Sequence, residues 1–117
     1  MKAGSVILAS FQQADGRRKM RPALVLCEMP KYNDSLLCGI SSQLHQYVEG
    51  FDEIISEQDV DFTTSGLVKS SLIRLGFLAV LPEKEIVGII GSISADRHRR
   101  LLDTLSNYFQ RLSKNNS

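Results

Sequence analysis

At Ser94 the hydrophobic pattern of this chain changes period, and that change limits the folds open to it. Before Ser94 the apolar residues come in short alternating or β-branched runs, separated by Gly, Pro, Asp and Asn. After it, Leu101, Leu102, Leu105, Tyr108, Phe109 and Leu112 are spaced to fall on one face of a helix. Ser94 can cap that helix, and Asp96 suits its positively polarised first turn. The expectation is a mainly β (α+β) domain. Five to seven short strands form a small barrel or strongly bent sheet, followed by a C-terminal amphipathic helix. At 117 residues the chain suits one domain, spanning 1–112, with the polar "SKNNS" at 113–117 expected to fray.

The strands can be placed. "GSVILASF" (4–11) reads as the first, and Asp15-Gly16 marks a wide hairpin turn after it. "PALVLCE" is apolar on both faces, as a central strand would be, with Pro22 opening it where a missing N–H does least harm. "SLLCGISSQ" is a third strand that turns polar at its end. "GFDEIISE" and "DVDFTTSG" alternate weakly around an acidic connection. "LVKSSLIRLGFLAVLP" reads as two strands about a bend at Gly76. "EIVGIIGSIS" is a last strand in which Gly88 and Gly91 permit a bulge or close approach.

Bulk properties exclude several classes. No apolar run approaches the roughly 20 residues of a membrane span, and the start reads as a strand, not a signal peptide. Cys27 and Cys38 both lie in apolar runs, which suggests buried free thiols in a cytoplasmic protein. The net charge of +1 hides segregation: residues 32–62 hold seven acidic and no basic side chains, whereas residues 1–31 hold six basic and two acidic. Either a basic surface faces an anionic partner, or folding interleaves the two regions.

Little standard site chemistry is present. His45 and His98 lie outside any ligand-spaced cluster. Asp52, Glu53, Asp59 and Asp61 lack the ligand and glycine spacing of a cation loop. No Walker loop, dinucleotide-binding glycine pattern or nucleophile elbow occurs. Arginines and hydroxyls remain. In "RRKMRPALVLC" (17–27), Arg21 precedes a proline that holds its backbone extended, so its side chain leaves from a stiff position. Its planar fork of donors suits phosphate oxygens. "GISSQ" (39–43) places two hydroxyls and an amide at a strand end, either as binding groups or as turn caps. Ser41 and Ser42 would face opposite sides of a strand.

These residues resemble a known family. "GSVILASF", "RPALVL", "LLCGISSQ" and "SSLIR" follow one another as the corresponding segments do in the PemK/MazF toxins of bacterial toxin–antitoxin systems. The resemblance runs from about Gly4 to Phe109. It implies an SH3-like barrel with a C-terminal helix, usually a homodimer in the cytoplasm. It also implies an endoribonuclease that cuts single-stranded RNA at short sequences without a metal or other cofactor. The implied partner is an antitoxin whose disordered segment wraps the toxin. The family's catalytic arginine falls on Arg21 and its catalytic threonine on Ser41; Gln43 matches a glutamine beside the site. Arg74 matches a later arginine, and an ion pair with the acidic middle of the chain is its structural alternative. Ser42 would join Ser41 and Gln43 at the substrate. Arg17, Arg18 and Lys19, in a mobile loop, would attract the RNA backbone.

The chain departs from the family pattern in two places. Ser5 stands where the pattern has aspartate, and Asp15 is the only carboxylate in the loop where some members carry an acid or histidine for proton transfer. A non-catalytic module on the same fold, binding DNA or trapping a topoisomerase, is a second reading, and a degenerate relative that only dimerises and binds antitoxin is a third. Tyr32 and Tyr47 could stack bases or simply pack. Arg97, His98, Arg99 and Arg100 oppose the helix dipole. They form either a second anion-binding surface or partners for the acidic 49–61 segment.

Overall fold

The computed structural model describes residues 1–115. Six antiparallel strands form one curled sheet: β1 (Ser5–Gln12), β2 (Arg18–Glu28), β3 (Ser35–Ser41), β4 (Glu53–Ile55), β5 (Ser71–Leu81) and β6 (Ile86–Ser92). Their spatial order is β4-β5-β3-β2-β1-β6. A short helix, α1 (Phe62–Ser65), precedes β5, and the long helix α2 (Ala95–Asn115) ends the described chain.

The sheet is apolar on both faces, as the uninterrupted apolar run of β2 requires. One face carries Val6, Leu24, Leu26, Cys38, Ile40, Ile73 and Leu75, and packs with Leu101 and Leu105 of α2. The other carries Ile7, Ala9, Ala23, Val25 and Leu37, covered at its margin by Phe11, Leu81 and Ile86. Burial pushes the Cys38 thiol up to about 12, which keeps it unreactive. Cys27 is half-buried, and both thiols are free.

Two glycines close the curl. A Cβ on Gly66 would lie 2.1 Å from the Ile90 carbonyl oxygen, and one on Gly91 would lie 2.2 Å from that of Thr64. The backbones of α1 and β6 therefore touch, and the Thr64 hydroxyl bonds the Ser92 carbonyl at 3.1 Å. Gly91 thus serves the close approach expected of it, while Gly88 has open space around it.

Several boundaries differ from the sequence expectation. β2 begins at Arg18, with Lys19 opposite Phe11 and Arg18 opposite Gln12, so Arg18 and Lys19 belong to a strand and not to a mobile loop. Pro22 lies inside β2, opposite Leu8. It is tolerated there because pairing with β3 begins only at Ala23. β5 is one continuous strand, but its register against β3 jumps from Cys38–Leu78 to Gly39–Arg74. The bend expected at Gly76 is thus a bulge over residues 75–77. The segment read as alternating at 59–66 holds α1 instead, with Gly66 as its left-handed cap. α2 continues through residues 113–115, part of the segment expected to fray; 116 and 117 lie outside the described residues.

The charge segregation resolves largely within the chain. Arg97, 7% exposed, donates to Asp61 at 2.9 Å, Glu53 at 2.9 Å and Asp59 at 3.0 Å. Arg100 joins Glu53 at 3.0 Å, and Arg99 pairs with Asp96 on its own helix. Asp61 also accepts the Ser94 amide at 3.0 Å, while the Ser94 hydroxyl caps Arg97 N–H at 3.1 Å. His98 meets the Leu26 carbonyl through Nε2 at 2.7 Å. The basic start of α2 is therefore held by the acidic 53–61 segment, the second of the two readings, and the unfavourable dipole contact is offset by carboxylates.

Candidate functional site

Strand alternation determines which side chains gather. Ala9 lies opposite Arg21 and Phe11 opposite Lys19, while Ala23 lies opposite Gly39 and Gly39 opposite Arg74. Two residues further along each antiparallel strand, Ser41 comes into line with Arg21. Phe11, Lys19, Arg21, Gly39, Ser41 and Arg74 thus share the sheet face that α2 leaves uncovered. At that end the face opens into a cleft of about 760 Å³. Arg21, Ser41, Ser42, Gln43, Arg74 and Lys19 all line it. Leaving the strand at Ser41 lets Ser42 reach the same cleft, which strict alternation would have forbidden.

The electrostatics of the cleft are one-sided. Its lining contains Lys19, Arg21, Lys69 and Arg74 and no Asp, Glu or His. Among the described residues these four side chains make no hydrogen bond or ion pair, in contrast to Arg97, Arg99 and Arg100. The ion pair considered for Arg74 is therefore absent. Four uncompensated cations around a concave surface concentrate anions there. The Ser41 hydroxyl accepts the Gln43 backbone N–H at 3.0 Å, which fixes its oxygen and leaves its own O–H free to donate.

Other expected residues lie elsewhere. Arg18 turns to the opposite face, where it donates to Ser10 Oγ at 3.0 Å and to the Ser10 carbonyl at 2.8 Å. Arg17 sits in the hairpin turn, its amide bonded to Asp15 at 2.9 Å, and does not line the cleft. Tyr32 is 73% exposed in the β2–β3 turn beneath Lys31. Tyr47 borders the Arg97 carboxylate cluster. Neither tyrosine reaches the cleft; its aromatic rings are Phe11 and Phe77. Lys69 and Phe77 were not evident in the sequence, because a loop lysine and an aromatic in an apolar run carry no signal of their own. Ser5 is buried at the start of β1, away from the cleft. Among the described residues no three His, Cys, Asp or Glu side chains gather to hold a metal, and no helix is long and apolar enough to cross a membrane.

Comparison with known proteins bears on the family and the fold. The sequence pattern of the family described as PemK-like, MazF-like toxin of type II toxin-antitoxin system matches residues 2–109. The fold is similar to that of the Mycobacterium tuberculosis toxin MazF-mt6. That match has a TM-score of 0.65 and 18% identity and covers 91% of this chain and 96% of that one. No curated protein matches by sequence.

Proposed function

The chain belongs to the PemK-like, MazF-like toxins of type II toxin–antitoxin systems, and from that premise we propose that it is an endoribonuclease acting on single-stranded RNA. The observation that carries the proposal is the cleft itself: four unpaired cations surround a fixed serine hydroxyl.

In this reading the RNA backbone enters the cleft along Lys19, Lys69 and Arg74. The ribose 2′ oxygen attacks the adjacent phosphorus, and its proton leaves to solvent. The bond from phosphorus to the 5′ oxygen breaks, and that oxygen takes up a proton. The products are a 2′,3′-cyclic phosphate and a 5′-hydroxyl. Negative charge builds on the non-bridging oxygens as the phosphorane forms. Arg21 opposes it with a two-donor fork, and Ser41 donates a hydrogen bond to one oxygen. Both act from rigid strand positions, so little reorganisation is needed. The ammonium groups of Lys19 and Lys69 can deliver the proton to the departing oxygen, a role carboxylates or histidine would otherwise take. Gln43 and Ser42 supply hydrogen bonds to the bases or sugar.

Type II membership implies a protein antitoxin, and dimers are usual in the family. The same cations would receive acidic residues of a disordered antitoxin segment, which would exclude RNA. Tyr108, Phe109 and Leu112 are exposed on α2 beyond its buried half and offer apolar surface for a second subunit.

One observation favours a non-catalytic module on the same fold: the cleft lining holds no carboxylate or histidine. The two readings separate on expression and incubation. A nuclease arrests growth and cuts mixed-sequence RNA, and Arg21→Ala removes both effects without changing the folded state. A binding module associates with nucleic acid in a salt-dependent way and cuts none.

A further inference from the structure

The β5 bulge re-aims one aromatic side chain. Residues 75–77 have no partner on β3 between Leu78 and Arg74, and Phe77 leaves the strand there toward the cleft. Its ring lies against Gly39, on which a Cβ would sit 3.0 Å from Cδ1 and 3.2 Å from Cγ. Any side chain at 39 would therefore have to displace the ring. Phe11, from β1, meets it edge-to-face at a centroid distance of 5.8 Å and 83° between planes. The ring is thus braced by backbone on one side and by a second aromatic on another, yet Phe77 remains 42% exposed. A core residue would not be left so open. A solvated one would not be fixed by two contacts.

We infer that Phe77, held by Gly39 and Phe11, is a stacking platform for one nucleobase next to the phosphate bound at Arg21. This rests on the RNA reading above. Gly39 is two residues from Ser41, about 7 Å along a strand, which puts the ring within one nucleotide of the serine hydroxyl. The flanking cations hold the backbone, and the exposed ring takes the base. Stacking is tolerant of base identity but favours larger rings, so Phe77 biases the cut site at one position.

The test uses the full chain with Phe77→Ala, Phe77→Leu and Phe77→Tyr, on mixed-sequence RNA with all cut sites mapped. A second readout is the fluorescence of 2-aminopurine placed along a single-stranded oligonucleotide. Stacking predicts that Ala and Leu raise KM about tenfold or more and relax base preference at one position beside the cut. Tyr restores both, because it keeps the flat ring. The wild type quenches 2-aminopurine at one register only, and Phe77→Leu does not. Leu keeps the apolar bulk, so a purely structural role would leave it like the wild type. Cleavage with unchanged KM and site spectrum in folded Phe77→Leu overturns the platform while leaving the nuclease intact. Quenching without any cleavage overturns the nuclease while leaving the platform. No binding of single-stranded RNA overturns both.

Discussion

The Ser41 hydroxyl oxygen accepts the Gln43 backbone N–H at 3.0 Å, at the point where β3 ends in the cleft. The bond holds the oxygen in place and leaves the hydroxyl proton free to donate. Ser41→Ala should lower the single-turnover cleavage rate by about 10²–10³, the usual cost of one donor to a developing oxyanion. It should lower stability by only about 1 kcal/mol, one ordinary hydrogen bond. Ser41→Thr keeps the donor, and its β-branch narrows the rotamers, so it should retain activity. Rates and denaturation curves for the two variants check this.

Arg18 and Lys69 make a paired test of the cleft's boundary. Arg18 is tied to Ser10 on the opposite face, whereas Lys69 lines the cleft without a partner. Lys69→Ala should weaken RNA binding at every sequence and reduce the salt slope by about one. Arg18→Ala should leave the slope where it was. Binding isotherms at three or four salt concentrations distinguish them.

Asp52 should prove to be a keystone of the cleft wall. It is buried, and its carboxylate accepts the Leu75 amide at 3.1 Å and the Val48 amide at 3.0 Å. Leu75 opens the bulge that aims Phe77, so its N–H would otherwise lack a strand partner. Asp52→Asn turns a donor toward one of those amides and should cost roughly 2 kcal/mol. Amide exchange at Leu75 should accelerate in the variant, and unchanged protection there would refute the assignment.

Acid should unfold the protein through the Arg97 cluster. The Ser56 amide, and then Arg97, hold the Asp59 carboxyl below its ordinary value. Burial alone would raise Asp61, but the Arg97 guanidinium and the Ser94 amide outweigh it and hold Asp61 low as well. Carboxyls that are depressed in the folded state add stability that is fully present above the ordinary value near about 4. That stability is lost as pH falls through their lower folded values. Chemical denaturation should give a plateau from neutral pH down to about 5 and a decline below about 4. Arg97→Gln should cost about 3 kcal/mol at neutral pH and flatten that decline. A variant whose acid limb matches the wild type would contradict the assignment.

The period change at Ser94 and the strand-like runs made the architecture readable, because burial of one helix stripe and of both faces of β2 leaves a clear hydrophobic pattern. Arg21 and Ser41 were each readable as candidates, from the Arg-Pro joint and the polar strand end, but bringing them into line depends on the register between β2 and β3, which neither strand shows alone. α1 was missed because four residues are too few to show a helical period, and its position depends on glycine contacts with β6, distant in sequence. Arg18 and Lys19 looked alike as neighbours in a basic run, but strand alternation sends them to opposite faces. Phe77 depended on a bulge, which arises from the register between two strands and is invisible in either one.

In the proposed reaction Arg21 and Ser41 drive attack by the ribose 2′ oxygen on RNA held in this cleft. The direct measurement is incubation of the pure protein with mixed-sequence single-stranded RNA in EDTA, with the chemical ends of every fragment identified. The wild type should give 2′,3′-cyclic phosphate and 5′-hydroxyl ends, and folded Arg21→Ala no fragments. Cleavage that vanishes in EDTA, fragments with 5′-phosphate ends, or intact RNA with the wild type would contradict that reaction.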